Sequence, residues 1–241
     1  MNNVSSRRLA AAGIGAACAL FASSTAAQVF GGVTFPGGVS SFADAVTVYA
    51  PTIVANQPGL SFRNGDAAIG APDIASGGDC STPAVCPYVS LGDGGAITLE
   101  FIDNRLTGSG DAKLDLWIFE IGPDVEDTFV AISRDGVQFF NVGKVFGATS
   151  GIDVDAFGFG TADRFRFVRL IDDTNEGAQS GVTVGADIDA VGAISSVAAP
   201  VPEPETWALM MIGVAALGAR RVRQMCSQAR TPTATPIAPS A

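Results

Sequence analysis

Between residues 28 and 200 the apolar positions come in short runs separated by Gly, Asp and Asn. Runs rich in Val, Ile, Phe and Thr occupy 46–54, 96–101, 114–121, 128–133, 137–145, 164–171 and 188–194. β-Branched and aromatic residues in runs of this length, bounded by turn residues, predict β-strands. No stretch in this region shows a helical period with caps at its ends. In Arg164-Phe165-Arg166-Phe167 the alternation predicts phenylalanines facing a core and arginines facing out. Arg134-Asp135-Gly136 predicts a hairpin turn in which Gly136 takes a positive φ. About 170 residues can bury one sizeable core. The expected class is all-β, an antiparallel two-sheet sandwich of jelly-roll type over 28–199. No internal repeat is evident.

Longer uncharged stretches flank this region. Arg7-Arg8 precedes an apolar run over 9–22, and small residues fill 23–27. Charge, core length and small-residue exit predict a secretory signal peptide over 1–27, cleaved between Ala27 and Gln28. A twin-arginine signal is disfavoured because no bulky apolar pair follows the arginines. Lipidation at Cys18 is disfavoured because Gly15 stands where Leu is wanted. Near the other end, Val201-Pro202-Glu203-Pro204 leads into an uncharged run over 206–219, with Trp207 near its start. Arg220, Arg221 and Arg223 follow. The prolines keep the backbone extended and lack an N–H, so no helix starts before residue 205. Fourteen helical residues reach about 21 Å against the ~30 Å hydrocarbon core. Local thinning and snorkelling arginines cover that difference, and a short C-terminal transmembrane helix is expected. A plain anchor or a buried apolar helix are the alternatives. Arginines precede the first apolar run and follow the last, so both ends face the cytoplasm and the middle is translocated. Residues 224–241, rich in Thr, Pro and Ala, read as a disordered tail.

The order of Pro202-Glu203-Pro204, apolar run and Arg220, Arg221 and Arg223 resembles the PEP-CTERM sorting signal of exported bacterial proteins. That resemblance covers 200–223. It implies that an exosortase, a membrane-embedded protease-transpeptidase, recognises and processes the tail. The chain is then a substrate of exosortase and the secretion machinery: a membrane-anchored precursor that ends at the cell surface or outside the cell. Association with exopolysaccharide or biofilm follows from the same resemblance. A second likeness lies in the order of Ala68-Ile69-Gly70-Ala71-Pro72-Asp73, Ser90-Leu91-Gly92-Asp93-Gly94-Gly95-Ala96-Ile97-Thr98-Leu99, Asp115-Leu116-Trp117-Ile118-Phe119-Glu120, Val130-Ala131-Ile132-Ser133-Arg134-Asp135-Gly136 and Asp187-Ile188-Asp189-Ala190-Val191. Over about 65–194 this series resembles bacterial cell-surface domains similar to discoidin and galactose-binding jelly rolls. Such a resemblance implies an extracellular binding or scaffolding domain, often with a structural calcium.

Charge and side-chain chemistry narrow the function. The chain carries a net charge of −10, and residues 28–200 hold eight Lys/Arg against twenty-two Asp/Glu. Nucleic acid and anionic surfaces would be repelled. There is no histidine, so neither a Ser/His nor a Cys/His arrangement can be assembled. Asp115 and Glu120 sit five apart on one expected strand and point to opposite faces, which rules them out as a glycosidase pair within a flat strand. No enzymatic activity is expected.

Calcium takes six to eight oxygen ligands, which acidic loops at a sandwich rim supply. Asp66 and Asp73 flank a Gly-containing loop, and Asp187 and Asp189 share one face at the start of the last long run. These four are the candidate calcium ligands, unless they are hydrated or capped by Arg63 and turn N–H groups. Tyr49, Tyr88 and Trp117 are the candidates for stacking on a sugar ring, although core packing is commoner for a residue placed like Trp117.

Cys18 leaves with the signal and Cys226 lies in the tail. That leaves Cys80 and Cys86, with five residues between them in a Gly- and Pro-rich loop and no histidine to complete a zinc site. A local disulfide is expected, with two free thiols as the alternative. The sequence thus predicts a non-enzymatic exported surface or matrix protein, with a lectin-like carbohydrate-binding module as the alternative.

Overall fold

A computed structural model describes residues 26–73, 80–121, 126–177, 180–200, 209, 210 and 212–215. The first half supplies strands β1 (Gln28–Phe30), β2 (Val33–Phe35), β3 (Ala45–Ala50), β4 (Val89–Ser90), β5 (Ala96–Glu100), β6 (Asn104–Leu106) and β7 (Leu116–Glu120). The second half supplies β8 (Thr128–Ser133), β9 (Phe139–Val145), β10 (Thr149–Ile152), β11 (Phe167–Asp172), β12 (Asp187–Ala193) and β13 (Ser196–Ala198). Every pairing is antiparallel. Two larger sheets result, ordered β3-β5-β11-β8-β9 and β10-β7-β12-β4. The protein is an all-β sandwich, as its pattern of short runs predicts.

Register explains the core. In the five-stranded sheet, Val46, Leu99, Val168, Ile132 and Phe140 lie side by side across all five strands. Tyr49, Ile97, Leu170 and Val130 form the next inward row. The other sheet answers with Leu116 beside Ile152 and Ala193, and Ile118 beside Val191. Apart from half-buried Val46, Tyr49 and Phe140, these side chains are buried in one cluster. Each large aliphatic residue in it contributes about 1.5–3 kcal/mol of hydrophobic stabilisation.

A second, smaller cluster lies on the opposite face of β7 and β12. Phe35, Phe42, Phe119 and Ala190 are buried there, with Phe30 and Trp117 packed against them. The N-terminal hairpin β1-β2 carries two of these rings onto the sheet. Gly192 admits Phe35 and its neighbour Phe42: a Cβ at that position would lie 2.6 Å from Phe35 and 2.8 Å from Phe42.

The strands depart from the sequence runs in physical ways. β3 stops at Ala50, before Pro51, which lacks the N–H for a ladder bond. β10 arises in a Gly-containing stretch with no apolar run and owes its extended form to pairing with β7. Phe165 is buried as expected, but Phe167 is only half-buried. From Val168 the inward positions run 168, 170 and 172, so Phe167 belongs to the outward row, where the Arg166 guanidinium lies 5.4 Å from its ring. Gly136 has φ 76° in the loop between β8 and β9, as expected for the turn. That loop is stapled by the Ser133 hydroxyl, which accepts from Gly136 N at 2.9 Å. Asp135 Oδ1 accepts from Val137 N and Gln138 N, both at 2.9 Å.

Among the described residues no helix is long and apolar enough to cross a membrane. Residues 209, 210 and 212–215 are helical, and the rest of the expected transmembrane run lies outside the described residues. The expected signal peptide up to residue 25 lies outside them as well; Ala27 is described, and Gln28 opens β1.

Candidate functional site

The four carboxylates expected to hold calcium divide into an exposed one, a loop residue and two buried neighbours. Asp66 is exposed in the single turn Gly65–Ala68, where its N–H donates to Asn64 Oδ1. Arg63 does not cap it: Nε donates to Pro58 O at 2.7 Å and the guanidinium to Asn56. Asp73 and Asp189 are brought together, with Asp73 N donating to Asp189 Oδ1 at 3.3 Å. Asp187 instead accepts from the Ser90 hydroxyl across the β4–β12 pair. A β-bulge separates Ile188 from Ala190. It lets Ile188 and Val191, three apart, both reach the core, and it places Asp189 at the irregularity.

Burial makes this end of the sandwich electrostatically unusual. Glu120, Glu126, Asp172, Asp187 and Asp189 are all buried. Desolvation pushes the Asp187 carboxyl up to about 8, and the nearby Glu126 and Asp172 charges push in the same direction against the Ser90 hydrogen bond. Glu120 is pushed up to about 9, chiefly by burial, even though its Oε1 accepts from Glu126 N at 2.9 Å. Burial raises Asp172 too, opposed by N–H donation from Ala186 at 2.7 Å and Gly94 at 2.8 Å. Lys144 ion-pairs with Asp127 and Asp173 at the edge of this region.

Beside it opens a cleft of about 340 Å³. Phe30, Pro72, Phe119, Thr149, Glu120 and Asp189 are among the residues lining it. It combines apolar walls with two carboxylates, the mixture typical of small-ligand sites. The expected sugar platforms are elsewhere. Tyr49 donates its hydroxyl to Ser90 O at 2.7 Å. Tyr88 packs on Phe62 with ring centroids 5.5 Å apart. Trp117 leans on the aromatic cluster.

Two further acidic groupings had no sequence forecast. Asp115, Asp153 and Asp155 form one, and Asp127, Asp173 and Glu176 the other. Asp115 and Glu120 lie at opposite ends of β7, roughly 17 Å apart along an extended chain, so they do not form a carboxylate pair. Cys80 and Cys86 are joined in a disulfide, with Cα atoms 4.1 Å apart. Asn64 Nδ2 donates to Pro83 O at 3.2 Å and ties that loop to the domain.

The sorting residues Pro202, Glu203, Pro204, Arg220, Arg221 and Arg223 lie outside the described residues. Their order is decisive by sequence. Residues 200–224 match the PEP-CTERM protein-sorting motif. This motif marks a membrane-anchored exported precursor that is processed by an exosortase and displayed on the cell surface. No curated protein matches the chain.

Proposed function

We propose that the chain is a non-enzymatic surface or matrix protein whose exported β domain, a jelly roll, works in association with exopolysaccharide. The observation that carries this reading is the PEP-CTERM motif over 200–224. The acidic, histidine-free sequence supports it, since it has no histidine to act as the base of a nucleophile–base pair and carries a net negative charge. A signal peptide over 1–27 belongs to the same reading. Mass spectrometry of the mature protein tests it. The N-terminus should fall at or near Gln28, and the segment beyond about Pro204 should be gone in a host that has an exosortase. Replacing Pro202, Glu203 and Pro204 by alanine should leave a membrane-held precursor. A mature species that keeps Arg220, Arg221 and Arg223 overturns the sorting reading in favour of a plain anchor.

The cleft beside Phe30 and Phe119 favours a second reading, a lectin-like module with a defined sugar site. Glycan-array binding that Phe30→Ala abolishes supports the lectin; uniform absence of binding leaves the scaffold reading. Calcium held by some of Asp66, Asp73, Asp187 and Asp189 is part of the proposal. Of these, Asp73 and Asp189 are joined by a hydrogen bond from Asp73 N to Asp189 Oδ1.

A further inference from the structure

A different set of carboxylates converges at the far end of β7. Asp115 immediately precedes that strand, and its side chain is completely buried. Oδ2 accepts from Val154 N at 3.0 Å. Oδ1 is also buried and accepts no hydrogen bond. The Ser195 and Ser109 hydroxyls also approach this carboxyl. A buried carboxylate oxygen left without a donor is costly unless a cation meets it.

The surroundings supply the rest of a coordination sphere. One carboxylate oxygen from each of Asp115, Asp153 and Asp155 lies within 4.8 Å of one from each of the others. Two oxygens bound to one calcium at about 2.3–2.6 Å can be no more than roughly 5 Å apart, so the three fit a single ion. Asp153 Oδ1 accepts from Asp155 N at 3.0 Å, and Asp155 Oδ2 from Ser109 N at 2.8 Å. These bonds hold both carboxylates in place. Among the described residues no Lys or Arg makes an ion pair with any of the three; Lys113, the nearest in sequence, is held by Asp111. An open depression of about 310 Å³, lined by Gly110, Asp111, Asp153 and Asp155, connects the cluster with solvent.

We propose that Asp115, Asp153 and Asp155 form a site for a hard divalent cation of the calcium class, distinct from the Asp73–Asp189 pair. All-oxygen donors with a buried carboxylate beneath a solvent-open rim suit calcium, which takes many oxygens in flexible geometry. They do not suit a softer metal seeking nitrogen or sulfur.

Calorimetric titration of the full-length chain in detergent, first stripped with chelator, tests the assignment. Calcium chloride should bind with a dissociation constant in the range of extracellular modules, about 10⁻⁴–10⁻³ M. Asp153→Asn and Asp155→Asn keep the hydrogen-bond acceptor and should weaken binding at this site at least about tenfold, roughly 1.4 kcal/mol. Asp135→Asn, in the turn between β8 and β9, should leave binding here unchanged. Asp115→Asn gives an independent readout: calcium should raise its melting temperature less than it raises the parent's. Absence of calcium uptake at about ten times the upper end of that range overturns the proposal. So does uptake that all three cluster variants leave unaltered.

Discussion

Raising the pH in the absence of divalent cations should destabilise this domain well before ordinary alkaline denaturation. Asp187 has a folded value of about 8 against an ordinary 3.8, because it is desolvated and faces Glu126 and Asp172. Between those values the folded chain keeps a proton that the unfolded chain has lost. Stability from this group is therefore fully present below about pH 4 and falls as pH climbs toward 8, by about 1.4 kcal/mol per pH unit for one retained proton. Glu120, raised from 4.5 to about 9 chiefly by burial, acts in the same direction. One proton alone costs about 3 kcal/mol between roughly pH 5.5 and 7.5. For a domain of this size that lowers the melting temperature by about 6–12 °C.

Groups with depressed values do not cancel this trend. Asp173 is stabilised as a carboxylate by hydrogen bonds from Asn175 and Lys144. Its contribution is present above its unfolded value and is lost only as pH falls through the lowered folded value, below the window in question. Asp187→Asn should preserve a partner for the Ser90 hydroxyl and remove one proton's share of the slope. Scanning calorimetry in chelator at a series of pH values reads both effects. A melting temperature that stays level or rises from about pH 5.5 to 7.5 would show that these carboxyls are ionised and neutralised in the folded chain, and the reasoning fails.

Breaking the Cys80–Cys86 link by Cys80→Ser should lower stability by about 2–3 kcal/mol, the loop-closure value for so short a ring. Non-reducing peptide mapping should recover the two half-cystines joined, and two alkylatable thiols in unreduced exported protein would refute the link. Gly192→Ala should cost about 1–3 kcal/mol in denaturant unfolding, because the new methyl meets the Phe35 and Phe42 rings. A change within about 0.5 kcal/mol would mean that the N-terminal hairpin gives way freely.

Much of the sandwich was legible because its core strands announce themselves. Thr128–Ser133 appears in the structure with the bounds its sequence run suggests, and Ala96–Glu100 differs by one residue. Strands whose extended form comes from a partner were invisible. Thr149–Ile152 has small residues and a glycine, and only the ladder to β7 makes it a strand. The Phe167 orientation failed for a related reason: a strict alternation from Phe165 cannot anticipate that the inward positions resume at Val168.

The acidic sites divide along the same line. Asp187 and Asp189 were noticed because they sit two apart in sequence, yet the bulge at Ile188–Ala190 gives them separate partners, Ser90 and Asp73. Asp115 and Asp153 are far apart in sequence and gave no joint signal. They meet because β7 and β10 run antiparallel with Leu116 opposite Ile152. Continuing that register by one residue brings Asp115 beside Asp153, and the turn held by Asp153 Oδ1 then returns Asp155 to the same spot. The ligand set is thus a consequence of strand pairing. A local sequence pattern could have revealed Asp153-Val154-Asp155, but only the register could add the buried carboxylate that gives the cluster its need for a cation.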